Sequence, residues 1–169
     1  MLFRSFTPVD GLIMGTRVGQ LDPVIAVHLG KHLNLTYDDL STIFNKKSGL
    51  LGISGHSDMR ELHANQKEEK CKLAMNMFAD RIIHYIGAYA AEMNGINGMV
   101  FTAGIGENAW YIRKKVLENF EYLGLKLDNE KNLKNDFIIT KKDSKVTVFV
   151  MQTNEEIQIA TETMKLLKI

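Results

Sequence analysis

The densest chemistry in this sequence lies in Met99 to Asn108, which reads Met-Val-Phe-Thr-Ala-Gly-Ile-Gly-Glu-Asn. An apolar run bends through Gly104 and Gly106 and opens onto an amphipathic segment beginning near Ala109. The pattern predicts a strand, a glycine turn and a helix N-terminus, with the strand buried on both faces as in a parallel α/β sheet. Glycines give such a turn access to positive φ and let a ligand approach the backbone closely. Free N–H groups at the helix start favour an anion or polar ligand. The same pattern also serves an ordinary βα turn. Gly104-x-Gly106-x-x-Ala109 meets the dinucleotide-binding pattern, yet no acidic residue closes a second strand about 20 residues later, as that fingerprint requires.

Three further groups have the right types for chemistry. Arg17 stands in Met14-Gly15-Thr16-Arg17-Val18-Gly19, and its planar fork suits bidentate binding of phosphate or carboxylate; a solvated loop arginine fits as well. Asp58 and Arg60 follow a glycine-rich approach and either line a cleft or simply start a helix, with Asp58 and Glu61 as its capping box. In Gln152-Thr153-Asn154-Glu155-Glu156, Thr153 and Glu156 fit a capping box, which leaves Glu155 at the carboxyl end of a second apolar strand. That is the edge where α/β sheets bind ligands, and a carboxylate there can hold Mg²⁺ directly or through water; it also suits the helix dipole. His28 and His32 are spaced for zinc, but Leu29 stands where the glutamate of a His-Glu-x-x-His motif belongs, so both read as solvated or core-edge residues.

These groups need elements to position them. At 169 residues the chain has the length of one domain, and its 45% hydrophobic and 24% charged composition is ordinary for a globular protein. A net charge of +1 gives no electrostatic case for a nucleic-acid or membrane surface, and no apolar run reaches the length of a membrane span. One cysteine, Cys71, excludes an internal disulfide and fits a reducing, cytoplasmic setting. Residues 1–21 read as loops. Asp22-Pro23 starts a helix with Ile25, Leu29 and Leu33 on one side; Thr36 and Asp39 start a second. Leu50 to Ser54 reads as a short extended or turn segment. Lys67 to Met93 is the longest helix, with Cys71, Met75, Phe78, Ile82, Tyr85, Tyr89 and Met93 as its core stripe, closed by Asn94-Gly95. Trp110 to Leu123 forms a helix stopped by Gly124, Asp128 to Lys145 is mostly a solvated excursion, and Val146 to Met151 is the second buried strand. A final helix places Ile157, Ala160, Met164 and Leu167 on the core.

The ordered set of motifs resembles the acetate kinases. The matching pieces are Phe6-Thr7-Pro8-Val9-Asp10-Gly11-Leu12, Met14 to Gly19, Leu21-Asp22-Pro23, Ser48 to Ser54, Ser57-Asp58-Met59-Arg60-Glu61, Phe101 to Asn108 and Thr153 to Glu156. The resemblance implies an actin-like, ribonuclease H-like ATPase domain: an α/β fold with a βαβα core, added helices and the early sheet strands missing. It implies reversible, Mg²⁺-dependent phosphoryl transfer between ATP and acetate, giving acetyl phosphate and ADP. Propionate or butyrate kinase, or a non-catalytic nucleotide-binding domain of the same fold, are the alternatives. By resemblance, Arg17 sits at the phosphoryl-transfer centre. Asp58, Met59 and Arg60 border the adenine and ribose, Gly104, Ile105, Gly106 and Asn108 belong to the adenosine-binding loop, and Glu155 is the carboxylate associated with Mg²⁺. Partners implied are acetate and an adenine nucleotide, with a homodimer for the full-length enzyme.

An acetate kinase is longer and has two related domains. Residues 1–169 correspond to the C-terminal nucleotide-binding domain, incomplete at its N-terminal side. The acetate-side groups and a phosphate-binding hairpin are expected outside this chain. Two expectations follow: no acetate kinase turnover by the chain alone, and self-association or marginal stability through an open edge of the strand at 99–103.

Overall fold

The computed structural model describes residues 8–167, the side chain of Glu155 excepted. Phe6 and Thr7 of the first matching motif lie outside the described residues. The chain divides into two compact units, Met1–Asn94 and Gly95–Ile169.

The first unit is helical: α1 (Pro23–Leu33), α2 (Tyr37–Lys46), α3 (Gly49–Ser54), α4 (Met59–Ala64) and α5 (Glu69–Glu92). Asp22 caps α1 by accepting from Val24 N at 2.9 Å, with Pro23 at the first helical position. At α2 the box is reciprocal: Asp39 N donates to Thr36 Oγ1 and Thr36 N donates to Asp39 Oδ2. The Thr36 hydroxyl also donates to Asp39 Oδ2, and this bond, with that from Thr36 N, holds the Asp39 carboxyl below its usual pKa range.

Residues 49–54 form helix α3, not an extended piece. Its first amides find carbonyls outside the helix, Leu50 N on Met14 O and Leu51 N on Gly15 O, both at 2.9 Å. Tertiary contacts therefore nucleate a turn that Gly49 and Gly52 disfavour. Gly49 at φ +63° is required there, because a Cβ would stand 2.1 Å from Met14 O.

α3 and α4 pack on α5. The α5 stripe is core at Cys71, Met75 and Phe78, joined by Ala74, Ala79 and Ala90. Further along, Ile82, Tyr85 and Tyr89 are half-buried and Met93 is exposed. α1 buries no residue, although its apolar spacing is regular.

The second unit carries β1 (Gly98–Phe101), α6 (Ala103–Asn108), α7 (Trp110–Leu117), a 3₁₀ turn (Glu118–Leu123), α8 (Asn129–Lys134), β2 (Thr147–Val150) and α9 (Glu155–Leu167). The strands pair in parallel, Gly98 opposite Thr147 and Phe101 opposite Val150. Ile112, Val116, Leu117, Phe120, Leu125, Ile139, Val146 and Val148 build the core beside them.

Four expectations change here. β1 alternates between exposed and half-buried positions instead of being buried on both faces, because no described residue covers the side of Val100. Trp110 to Leu123 divides after Leu117 into α7 and the 3₁₀ turn, which is kinked at Phe120 (φ −114°) and closed by Gly124 in the left-handed region. The stretch 128–145 is not a mere excursion. α8 is capped by Asp128, Ile139 and Thr140 are buried, and antiparallel bridges join Leu127 to Thr140 and Ile138 to Phe149. Finally, Ile157, Ala160, Met164 and Leu167 of α9 are all exposed, since no described element packs on that stripe.

Candidate functional site

Arg17 belongs to a loop whose backbone is tied down on both sides. Val18 N donates to Phe44 O, Ser48 N to Thr16 O, and Thr16 Oγ1 to Asn45 O. The α3 amides hold Met14 and Gly15. The loop is thereby fixed while the Arg17 side chain remains exposed. An open cleft of about 850 Å³ is lined by Arg17, Thr16, Ser41, Asn45, Lys46 and Ser57, with Met14, Gly15 and Thr42. Two cations among hydroxyl and amide groups suit an oxyanion such as phosphate or carboxylate. The sequence pointed to Arg17 but not to the polar face of α2. Its signal was Ser41, Thr42, Asn45 and Lys46 opposite Leu40, Ile43 and Phe44.

Asp58 and Arg60 are brought together. Asp58 Oδ1 accepts from Arg60 N at 2.8 Å, capping α4, and its carboxylate takes two further bonds from Arg60 Nε at 3.0 and 3.1 Å. Hydrogen bonding from Arg60 lowers the Asp58 pKa to about 2. The expected reciprocal partner behaves differently: Glu61 accepts from or faces His56 Nδ1 at 3.1 Å. Met59 is 4% exposed and its side chain belongs to the core of this unit. His28 and His32 stack ring on ring at 4.2 Å between centroids.

In the second unit the turn after β1 differs from the one the glycines suggested. Positive φ falls on Ala103 (+60°), not on Gly104 or Gly106, and both glycines lie inside the short helix α6. Helix therefore begins six residues earlier than Ala109. The use of Gly106 is steric: a Cβ there would stand 3.3 Å from the Phe101 carbonyl carbon. Asn108 Nδ2 donates back to Gly104 O at 2.9 Å. A left-handed alanine stores about 1–2 kcal/mol, and such strain gathers at ligand-binding turns.

The second turn, at 151–155, lies at the same sheet edge. The strands are parallel, Met151 N donates to Phe101 O, and Thr153 N donates to Glu107 Oε1 at 3.2 Å. Thr153 is thus not the cap of α9. That role falls to Asn154, whose Oδ1 accepts from Ile157 N at 3.1 Å. Glu155 starts α9 at this edge, and its side chain lies outside what the structure describes. Glu107 was missed in the sequence because its partner lies 46 residues away.

A parallel βαβα arrangement with both turns at the carboxyl edge is the architecture of the acetate and sugar kinase/actin class, and solved structures agree. The acetate kinase of Porphyromonas gingivalis superposes with a TM-score of 0.88 at 44% identity, covering 95% of this chain and 42% of that one. A propionate kinase of Francisella tularensis gives 0.86 at 40% identity over 92% of this chain and 41% of that one. Among curated sequences, the acetate kinase of Carboxydothermus hydrogenoformans is 48% identical over 96% of this chain and 42% of its own length. The model of the acetokinase family matches residues 4–161, and the chain belongs to that family. It spans about 42% of the length of the curated relatives it matches.

Proposed function

We propose that this chain supplies the nucleotide- and phosphoryl-handling part of an acetate kinase, which transfers a phosphoryl group reversibly between ATP and acetate. The observation that carries the reading is Arg17 on a backbone-tied loop, facing an open polar cleft with Lys46. Phosphoryl transfer asks mainly for positioning and charge stabilisation, and an arginine fork held from behind stabilises the equatorial oxygens of the transferred group. Asp58 and Arg60 border the adenine and ribose, and Gly104, Ile105, Gly106 and Asn108 receive the adenosine.

Glu107 accepts from Thr153 N beside the turn after β2, and Glu155 begins α9 at the end of that turn. Mg²⁺ keeps most of its water and uses one or two carboxylates together with substrate phosphates, so this donor set fits it. A Mg²⁺ ion held there would supply neutralisation of the phosphate charge. Glu155 would hold it directly or through water.

The acetate-side groups are assigned to the part of the enzyme outside these residues, and the chain alone is inactive. Adding the remaining part of an acetokinase-family enzyme should restore acetyl phosphate formation, and Arg17→Ala in this chain should lower kcat by a factor of about 10³ or more. Restored turnover that ignores Arg17→Ala would overturn the assignment. The likeness to a propionate kinase supports a second reading, in which the acyl substrate is longer; acetate and propionate compared in the same assay separate the two.

A further inference from the structure

Arg113 is the largest fully buried side chain described, at 0% exposure, and none of its partners is a carboxylate. Instead five N–H groups meet five neutral acceptors. Nη1 donates to the carbonyls of Gly106 and Glu107, both at 2.8 Å. Nε donates to Asn132 Oδ1 at 2.8 Å, while Nη2 donates to Asn132 O at 2.7 Å and Asn135 Oδ1 at 2.6 Å. Every donor of the guanidinium is used, two bonds on α6 and three on α8 and its C-cap Asn135.

The α6 side explains why a charge is tolerated there. α6 is six residues long, contains two glycines and starts on a left-handed alanine, so it has little stability of its own. The chain breaks at Ala109 (ψ 70°) before α7, which strands the carbonyls of Gly106 and Glu107 at the helix end. Those carbonyls are the negative end of the peptide dipoles and need donors. Arg113, one turn into α7, supplies both from a single nitrogen and is itself anchored from behind by Asn132, which also donates to Trp110 O. A lysine offers one point charge without the fork and cannot hold both sides at this geometry.

We propose that Arg113 is a positioning residue: it fixes the Ala103–Asn108 segment in shape and thereby sets how tightly that segment holds nucleotide. The nucleotide half rests on the functional reading above; the positioning half does not.

The test is residue-resolved amide hydrogen exchange on the full 169-residue chain, with calorimetric titration of MgADP. In Arg113→Lys, exchange at Glu107, Asn108 and Ala109 should quicken by about tenfold beyond the average change in α7 and α8, and the Kd for ADP should rise by about tenfold. Asn135→Gly is the companion variant. Asn135 already has φ +56°, so glycine fits, and only the α8 side of the clamp is cut. Its effect should centre on α8 and leave 107–109 within about twofold of wild type. An even rise across α7 and α8 in Arg113→Lys, with no selective effect on 107–109, would make Arg113 a core staple and overturn the proposal. A loosened segment with unchanged ADP affinity would overturn the nucleotide half. Should Arg113→Lys fail to fold, wild type in low urea decides: Arg113 Nε–H and the amides of Asn108 and Ala109 should open together, and amides opening well before Arg113 would contradict it. A wild-type chain that ignores ADP defeats the functional reading, while the exchange data still judge the clamp.

Discussion

At the scale of single residues, several side chains are already committed before a ligand arrives. Asp58 is the clearest. Its pKa is about 2 in the fold against 3.8 ordinarily, because Arg60 donates to the ionised form. The folded state therefore binds fewer protons than the unfolded state between those values, and stability falls as pH drops through that window. Asparagine caps about as well as aspartate, so Asp58→Asn removes the charge and little else. Thermal melts should show Asp58→Asn less stable than wild type at pH 6, with the difference closing between about pH 4 and pH 2. A difference that persists at pH 2 would mean that the charge is not its source. Gly49 is the second case. With φ +63° and a Cβ position 2.1 Å from Met14 O, Gly49→Ala should cost about 3 kcal/mol or more in urea unfolding and release the Arg17 loop. Ala103 is the converse: Ala103→Gly should relieve about 1–2 kcal/mol of left-handed strain against about 0.4–1 kcal/mol of added chain entropy, which denaturant titration would read as equal or greater stability.

At the scale of elements, what the sequence disclosed depended on how local each determinant is. The caps of α1 and α2 were legible because Asp22-Pro23 and Thr36 with Asp39 act within three residues. β1 and β2 and their shared edge were legible from apolar runs followed by turn residues. α3 was not, since its first amides are satisfied by Met14 and Gly15, which lie far back in the chain. The glycines of 104 and 106 suggested where positive φ would fall, and the fold put it on Ala103, because the helix begins at once after β1. Thr153 looked like a cap by spacing alone, but Glu107 claims its amide and Asn154 takes over. Of the site residues, the Asp58–Arg60 pairing follows from adjacency, helix phase buries the Met59 side chain, and Arg113 is invisible until α8 folds back over it.

At the scale of the molecule, two surfaces stand open among the described residues. β2 has β1 on one side and Ile138 bridged to Phe149 on the other, whereas β1 pairs with β2 alone, and Val100 is 57% exposed. α9 exposes Ile157, Ile159, Met164, Leu166 and Leu167. Unpaired strand edges and apolar stripes invite association. Sedimentation of the 169-residue chain should therefore show oligomers that grow with concentration, and Val100→Lys should shift the population toward monomer. A sharp monomer boundary at every concentration would count against an open edge. No described helix is long and apolar enough to cross a membrane.

Under the proposed function, Asp58 and the segment ending at Asn108 each contribute to holding an adenine nucleotide. Calorimetric titration of the chain with MgADP, beside Asp58→Ala and Asn108→Ala, tests it most directly. Saturable binding that both substitutions weaken is the expected result. Binding that neither substitution changes, or no binding by a chain shown to be folded, would contradict it.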